Sequence, residues 1–204
     1  MSERNTVVRS LHDLGLAVWL GGSLAGAVGI NGAAGGVPET KQRLRVANVG
    51  WARWTPVNLA GIAAHVVGGA GVLFANKGRI ASQRGVGAST ATKLALTGAA
   101  LGVTAYSRAL GKKLEQAGDV AVKGATEPSP DTPAEVANAQ RQLKVCQWAI
   151  PALTAGIAVL NAVEGEQQRP NQVLSGILAK PAQLLAKPAQ LFARPAQLLG
   201  VGQS

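Results

Sequence analysis

The sequence predicts an all-α fold: a four-helix transmembrane bundle with an interfacial helix and a basic amphipathic C-terminal tail. Three observations carry that reading. The first is composition. Of 204 residues, 47% are hydrophobic but only 3% aromatic and 15% charged, against about 25% charged in ordinary globular domains. Alanine (37) and glycine (26) supply 63 residues with almost no side chain. That is a poor stock for an aqueous core, but it suits helices in lipid that pack backbone to backbone. The second observation is that charges leave long uncharged runs. The third is that the cations, 20 Lys+Arg against 10 Asp+Glu for a net charge of +10, bracket those runs rather than cluster. Bracketing by Lys and Arg points to a lipid bilayer. The scarcity of aromatic stacking partners beside the cations argues against nucleic acid. The lone Cys146 excludes an internal disulfide and a Cys-cluster metal site.

The elements follow from the charge-free runs. Leu14 to Pro38 is 25 residues without a charge, Trp54 to Asn76 is 23, and Val145 to Val163 is 19. A helix needs about 20 residues to cross the hydrocarbon core. Leu94 to Ser107 is only 14 residues; it reaches full length by including Lys93, which snorkels from near one end. The expected spans are 11–34, 55–76, 89–110 and 145–163, within a domain over 1–169. Arg4 and Arg9 before an apolar stretch also resemble a signal peptide, but the uncharged run exceeds the 7–15 residues of an h-region. A soluble Ala/Gly-rich bundle is the competing reading, although soluble amphipathic helices interrupt their apolar stripe with charge at nearly every turn.

Punctuation refines the boundaries. Thr55-Pro56 reads as an N-cap and first-turn proline opening the second span. Thr132-Pro133-Ala134-Glu135 has capping-box spacing, so the last helix starts near Pro133 and projects beyond the membrane. Arg108, Lys112, Lys113 and Glu115 extend the third helix outward to match it. Gly118 to Asp131, with Pro128-Ser129-Pro130, reads as a flexible turn. Between the first two spans, Leu44, Ala47, Trp51 and Trp54 recur at helical spacing beside Lys41, Arg43, Arg45 and Arg53. This pattern suits an interfacial helix with its indoles at headgroup depth, or a loop whose tryptophans pack on the bundle. Gly22/Gly26, Gly32/Gly36 and Gly98/Gly102 are GxxxG pairs that favour close helix packing.

Residues 170–204 form the tail. They carry a seven-residue repeat: Lys180-Pro-Ala-Gln-Leu-Leu-Ala, Lys187-Pro-Ala-Gln-Leu-Phe-Ala and Arg194-Pro-Ala-Gln-Leu-Leu-Gly. At about 100° per residue this period gives one apolar stripe with cations on its flank. Proline in each unit breaks a straight helix into turns. Lys180, Leu184, Leu185, Lys187, Leu191, Phe192, Arg194, Leu198 and Leu199 then form either a strip on anionic lipid or a three-copy docking peptide for a protein partner. The positive charges tie at ten on each side of a four-span topology. We take the termini as cytoplasmic because the basic tail suits the anionic inner leaflet.

Chemistry-bearing residues are few. No Gly-rich phosphate loop, acidic metal cluster or nucleophile with a His/Asp partner is evident. His12 and His65 are the only histidines. If the first helix begins near Leu11, His12 lies at a membrane edge and His65 about 15 Å deeper, at 1.5 Å per residue. Two axial haem ligands must share one depth, so this spacing disfavours a bis-histidine haem, and no cofactor or metal is expected. His12 with Asp13 reads as a proton-handling pair, since ionisable groups in membrane helices are often functional.

Leu11-His12-Asp13-Leu14-Gly15 followed by Trp19-Leu20-Gly21-Gly22 resembles the first helix of uncharacterised bacterial four-helix membrane proteins. It is also distantly similar to the opening helices of CopD-type copper-resistance proteins, with their His-then-Trp-Gly-Gly pattern. The resemblance covers about a dozen residues and implies family-like positions for His12 and Trp19. The Met-rich and further His motifs of that family are absent. The expected function is a non-enzymatic scaffold or accessory subunit in the cell membrane, holding lipid, a protein partner or a second copy of itself. The alternative is a small transporter or redox/metal-handling membrane protein using His12, Asp13 and His65.

Overall fold

The computed structural model describes residues 5–82 and 86–166; the heptapeptide repeat lies outside them. Helix α1 (Thr6–Ala25) runs through a π-helical turn (Gly26–Ile30) into α2 (Asn31–Gly35), making one 30-residue rod. A 3-10 turn, Thr40–Gln42, leads into α3 (Arg43–Ala75). The short α4 (Lys77–Ser82) precedes α5 (Val86–Gln116), and α6 (Ala134–Glu166) follows. The described residues are helical throughout apart from connectors, with one isolated bridge between Val122 and Pro128. Helix α1 packs along α3, α5 along α6, and α1 along α6, while α3 and α5 touch sparsely.

Side-chain size explains which pairs pack. Helix α1 buries His12, Gly15, Leu16, Trp19 and Ser23, an i, i+3, i+4, i+7 stripe on one helix face. Helix α3 answers with Gly61, His65 and Gly68. Large apolar side chains point outward instead: Leu59, Val67, Phe74, Trp148 and Val159 are all exposed, Phe74 by 74%. Three helical segments, Thr6–Gly35, Thr40–Ala75 and Ala134–Val163, are long and apolar enough to cross a membrane. Helix α5 is not among them, and its Lys93 is buried.

Two sequence expectations are corrected here. The segment expected as a separate interfacial helix is the opening of α3, continuous from Arg43 to Ala75. Thr55-Pro56 therefore lies inside a helix and caps nothing. Proline removes one backbone donor, the one that would reach the Ala52 carbonyl, yet the helix runs on through it; the Thr55 hydroxyl donates to the Trp51 carbonyl at 2.8 Å. Leu44 and Ala47 are drawn inward because the α5–α6 hairpin stands beside them: Leu44 shares one core with Leu110, Leu114, Val122 and Leu143.

The 117–133 connector is folded, not a flexible turn. Val122 is fully buried and Ala125 nearly so. The Gln140 amide, itself buried, donates to the carbonyls of Gly124 and Ala125 at 2.9 and 3.1 Å. Arg43 donates to Val37, Val122 and Lys123 carbonyls. The Thr132 hydroxyl turns into this loop, donating to Ala121 and accepting from the Ser129 amide. Backbone carbonyls in a buried loop need donors, and these side chains supply them.

Candidate functional site

The site grows from the crossing of α1 and α3. A Cβ built on Gly15 would sit 2.5 Å from the Gly61 carbonyl, and one on Gly68 would sit 2.6 Å from the Val8 carbonyl. Only glycine permits such an approach. The two helices touch backbone to backbone, in a reciprocal arrangement: Gly15 lies against the His65 backbone and Gly68 against the His12 backbone. Each glycine stands three residues after a histidine, as His12-Asp-Leu-Gly15 and His65-Val-Val-Gly68.

That contact brings the histidines together. The rings stack with centroids 4.1 Å apart and planes 20° from parallel. Each Nδ1 lies 3.0 Å from the other residue's backbone oxygen. A carbonyl only accepts, so each Nδ1 carries the proton and donates across the helix pair. The lone pair of a neutral ring is thereby left on Nε2, and that of His12 is buried without a partner. The expected separation of about 15 Å in depth does not hold. The α1 helix begins at Thr6, which carries His12 into the bundle, and the antiparallel α3 brings His65 to the same level.

Around this pair lies a cavity of about 390 Å³ at the end of the bundle where α1 starts. Its walls include Arg9, Asp13, Asn76, Thr90, Lys93, Thr97, Gly98 and Asn161. The Asn161 amide donates to the Asp13 carboxylate at 3.1 Å, while the Asn161 Oδ1 is buried and unpartnered. A second cavity, about 420 Å³, opens toward the other end. Leu101 lines both. Between them stands the fully buried Trp19, whose indole donates to Thr104 at 3.2 Å and meets His65 edge-on at 6.0 Å. The cavities exist because α3 and α5 are only sparsely joined.

No family model, curated protein or solved structure matches the chain.

The chemistry therefore rests on the geometry. Stacked imidazoles present ring faces to each other, so as they stand His12 and His65 cannot hold one iron between opposed Nε2 atoms as a haem requires. Among the described residues, no three of His, Cys, Asp and Glu converge on one point. What the pair offers is a fixed tautomer and, on His12, a buried Nε2 without a partner, beside Asp13. Outside the helices, burial pushes the Glu127 carboxyl up, but the Lys144 ammonium at 3.0 Å and the Thr126 donors outweigh it. The net effect holds the carboxyl below its ordinary value.

The remaining predicted positions are distributed. Gly22 and Gly26 seat the rings of Trp54 and Trp51 rather than another backbone. Gly98 and Gly102 face open space, as does Gly32. Lys180 to Leu199 lie outside the described residues. Gly15, Gly61 and Gly68 are the positions that sequence reading missed. For Gly15 and Gly68 the signal was the His-x-x-Gly spacing shared by the two helices; Gly61 lies outside it.

Proposed function

We propose that the protein is a multi-pass integral membrane protein of the cell membrane, a four-helix bundle that acts as a small transporter with His12, Asp13 and His65 handling a proton. The membrane setting is supported by the exposed apolar side chains and by three sufficiently long apolar segments. It is also supported by Lys93, which α5 turns inward, as lipid-embedded helices do with an ionisable residue. The observation that carries the function is the reciprocal His12–His65 stack in the wall of the first cavity, with the buried Trp19 between it and the second. A buried nitrogen without a partner is costly unless it is used. The scaffold expectation rests on the tail repeat, which lies outside the described residues, and the interior geometry favours the transporter.

Vesicles loaded with a pH-sensitive dye test this reading. The wild-type chain, reconstituted with potassium and valinomycin, dissipates an imposed pH gradient faster than protein-free vesicles. His12→Asn and His65→Asn keep a side-chain donor near the Nδ1 position but remove the titratable nitrogen, and they bring the rate to background. Equal rates in all these samples refute the proposal.

A further inference from the structure

The cavity remote from the histidines has its own chemistry. Its wall on α3 carries Trp51, Trp54, Thr55 and Asn58, facing Asn31 and Gln147. Most of these groups satisfy one another. The Trp51 indole donates to Asn31 Oδ1 at 3.0 Å, and Asn31 Nδ2 donates to Gln147 Oε1 at 2.6 Å. The Thr55 hydroxyl is spent on its own helix. Two buried atoms are left over: the Trp54 Nε1–H, a donor, and the Asn58 Oδ1, an acceptor. Four residues apart on one helix, they lie on the same face about one turn from each other. The Trp54 ring is held in place because Gly22 has no side chain: a Cβ there would come within 2.5 Å of the indole Cε2. Leu44, Leu59, Ile62 and Ile150 add apolar surface, and Arg108 with Glu115 brings one charge of each sign to the wall.

We propose that this cavity binds a small neutral molecule with an apolar body and a carboxamide or ureido edge. Such an edge presents one acceptor and one donor side by side. Its carbonyl accepts a hydrogen bond from the Trp54 indole N–H, and its own N–H donates to Asn58 Oδ1. A carboxylate lacks the donor and a simple ketone supplies only half the pair. Sites of this kind are apolar cavities with a few placed polar groups, and they reject analogues that leave those groups unmet. Binding here is separate from the proton handling proposed for His12 and His65, which line the other cavity.

The test uses the full chain in detergent micelles and three probes sharing one ring: benzamide, acetophenone and ethylbenzene. Saturable quenching of tryptophan fluorescence, corrected with protein-free micelles, reports affinity. Benzamide binds about tenfold more tightly than acetophenone, which binds more tightly than ethylbenzene. Asn58→Leu weakens benzamide about tenfold and leaves acetophenone unchanged, which also shows that the cavity is intact. Trp54→Phe weakens both carbonyl probes and leaves ethylbenzene unchanged. Absence of saturable quenching, equal affinity for the three probes, or indifference of benzamide to both substitutions overturns the proposal.

Discussion

Replacing Gly15 by alanine tests the idea that backbone contact builds the histidine site. The added methyl would lie 2.5 Å from the Gly61 carbonyl, whereas ordinary contact begins at 3.4 Å. Neither group is a flexible side-chain tip, so α1 and α3 must separate by about 0.9 Å at the crossing. The two Nδ1–carbonyl hydrogen bonds, each 3.0 Å, then stretch toward about 3.9 Å, beyond hydrogen-bonding range. Two buried bonds lost at about 1–2 kcal/mol each, with about 1–3 kcal/mol of overpacking, give roughly 3–7 kcal/mol. For a chain of this size that is a fall in Tm on the order of 10 °C. Gly68→Ala, which meets the Val8 carbonyl at 2.6 Å, should behave alike. Gly98→Ala is the control, because nothing lies within 4 Å of its added methyl. It should be neutral, or stabilising by up to about 1 kcal/mol through helix propensity. Thermal unfolding in detergent, followed by circular dichroism, reads the series. Gly15→Ala or Gly68→Ala melting together with Gly98→Ala would show that the helix crossing is not the constraint described here.

Three further outcomes are expected. Gln140→Leu strips the Gly124 and Ala125 carbonyls of their buried donor, at about 1–3 kcal/mol; it should lower hydrogen-exchange protection in 117–133 and raise tryptic cleavage after Lys123, and unchanged protection would count against the loop being pinned there. Because the Glu127 carboxyl is held below its ordinary 4.5, its pairing with Lys144 contributes above that value and is lost as pH falls through the lower folded value; loop protection should therefore drop only in acid, and a step that survives in Glu127→Gln would contradict this. The exposed apolar side chains and the three long apolar segments lead us to expect retention in the pelleted membrane after alkaline carbonate washing and release by detergent; recovery in the supernatant without detergent would defeat the membrane reading.

The helical character of this chain was legible in its sequence because it is local. Runs without charge, capping residues and the small-residue composition act through the backbone within a few turns, and the structure is helical over Thr6–Gly35, Arg43–Ala75, Val86–Gln116 and Ala134–Glu166. The start of α6 near Pro133 was readable for the same reason. The start of α3 was not. Thr55-Pro56 carries a strong local cap signal, and only tertiary packing of Leu44 and Ala47 against the rest of the molecule holds the helix continuous through it. The connector was likewise misread from its glycines and prolines, since its order comes from Arg43 and Gln140, distant residues that donate to its carbonyls.

His12 and His65 are the only histidines, and span edges alone put them about 15 Å apart in depth. What places them 4.1 Å apart is the antiparallel register of α1 against α3, set by Gly15, Gly61 and Gly68. Which glycines touch another backbone, and which face open space as Gly98 and Gly102 do, depends on the partner helix and its offset. A side chain's absence leaves no local trace in the chain that carries it. Its effect exists only where a second helix closes into the space.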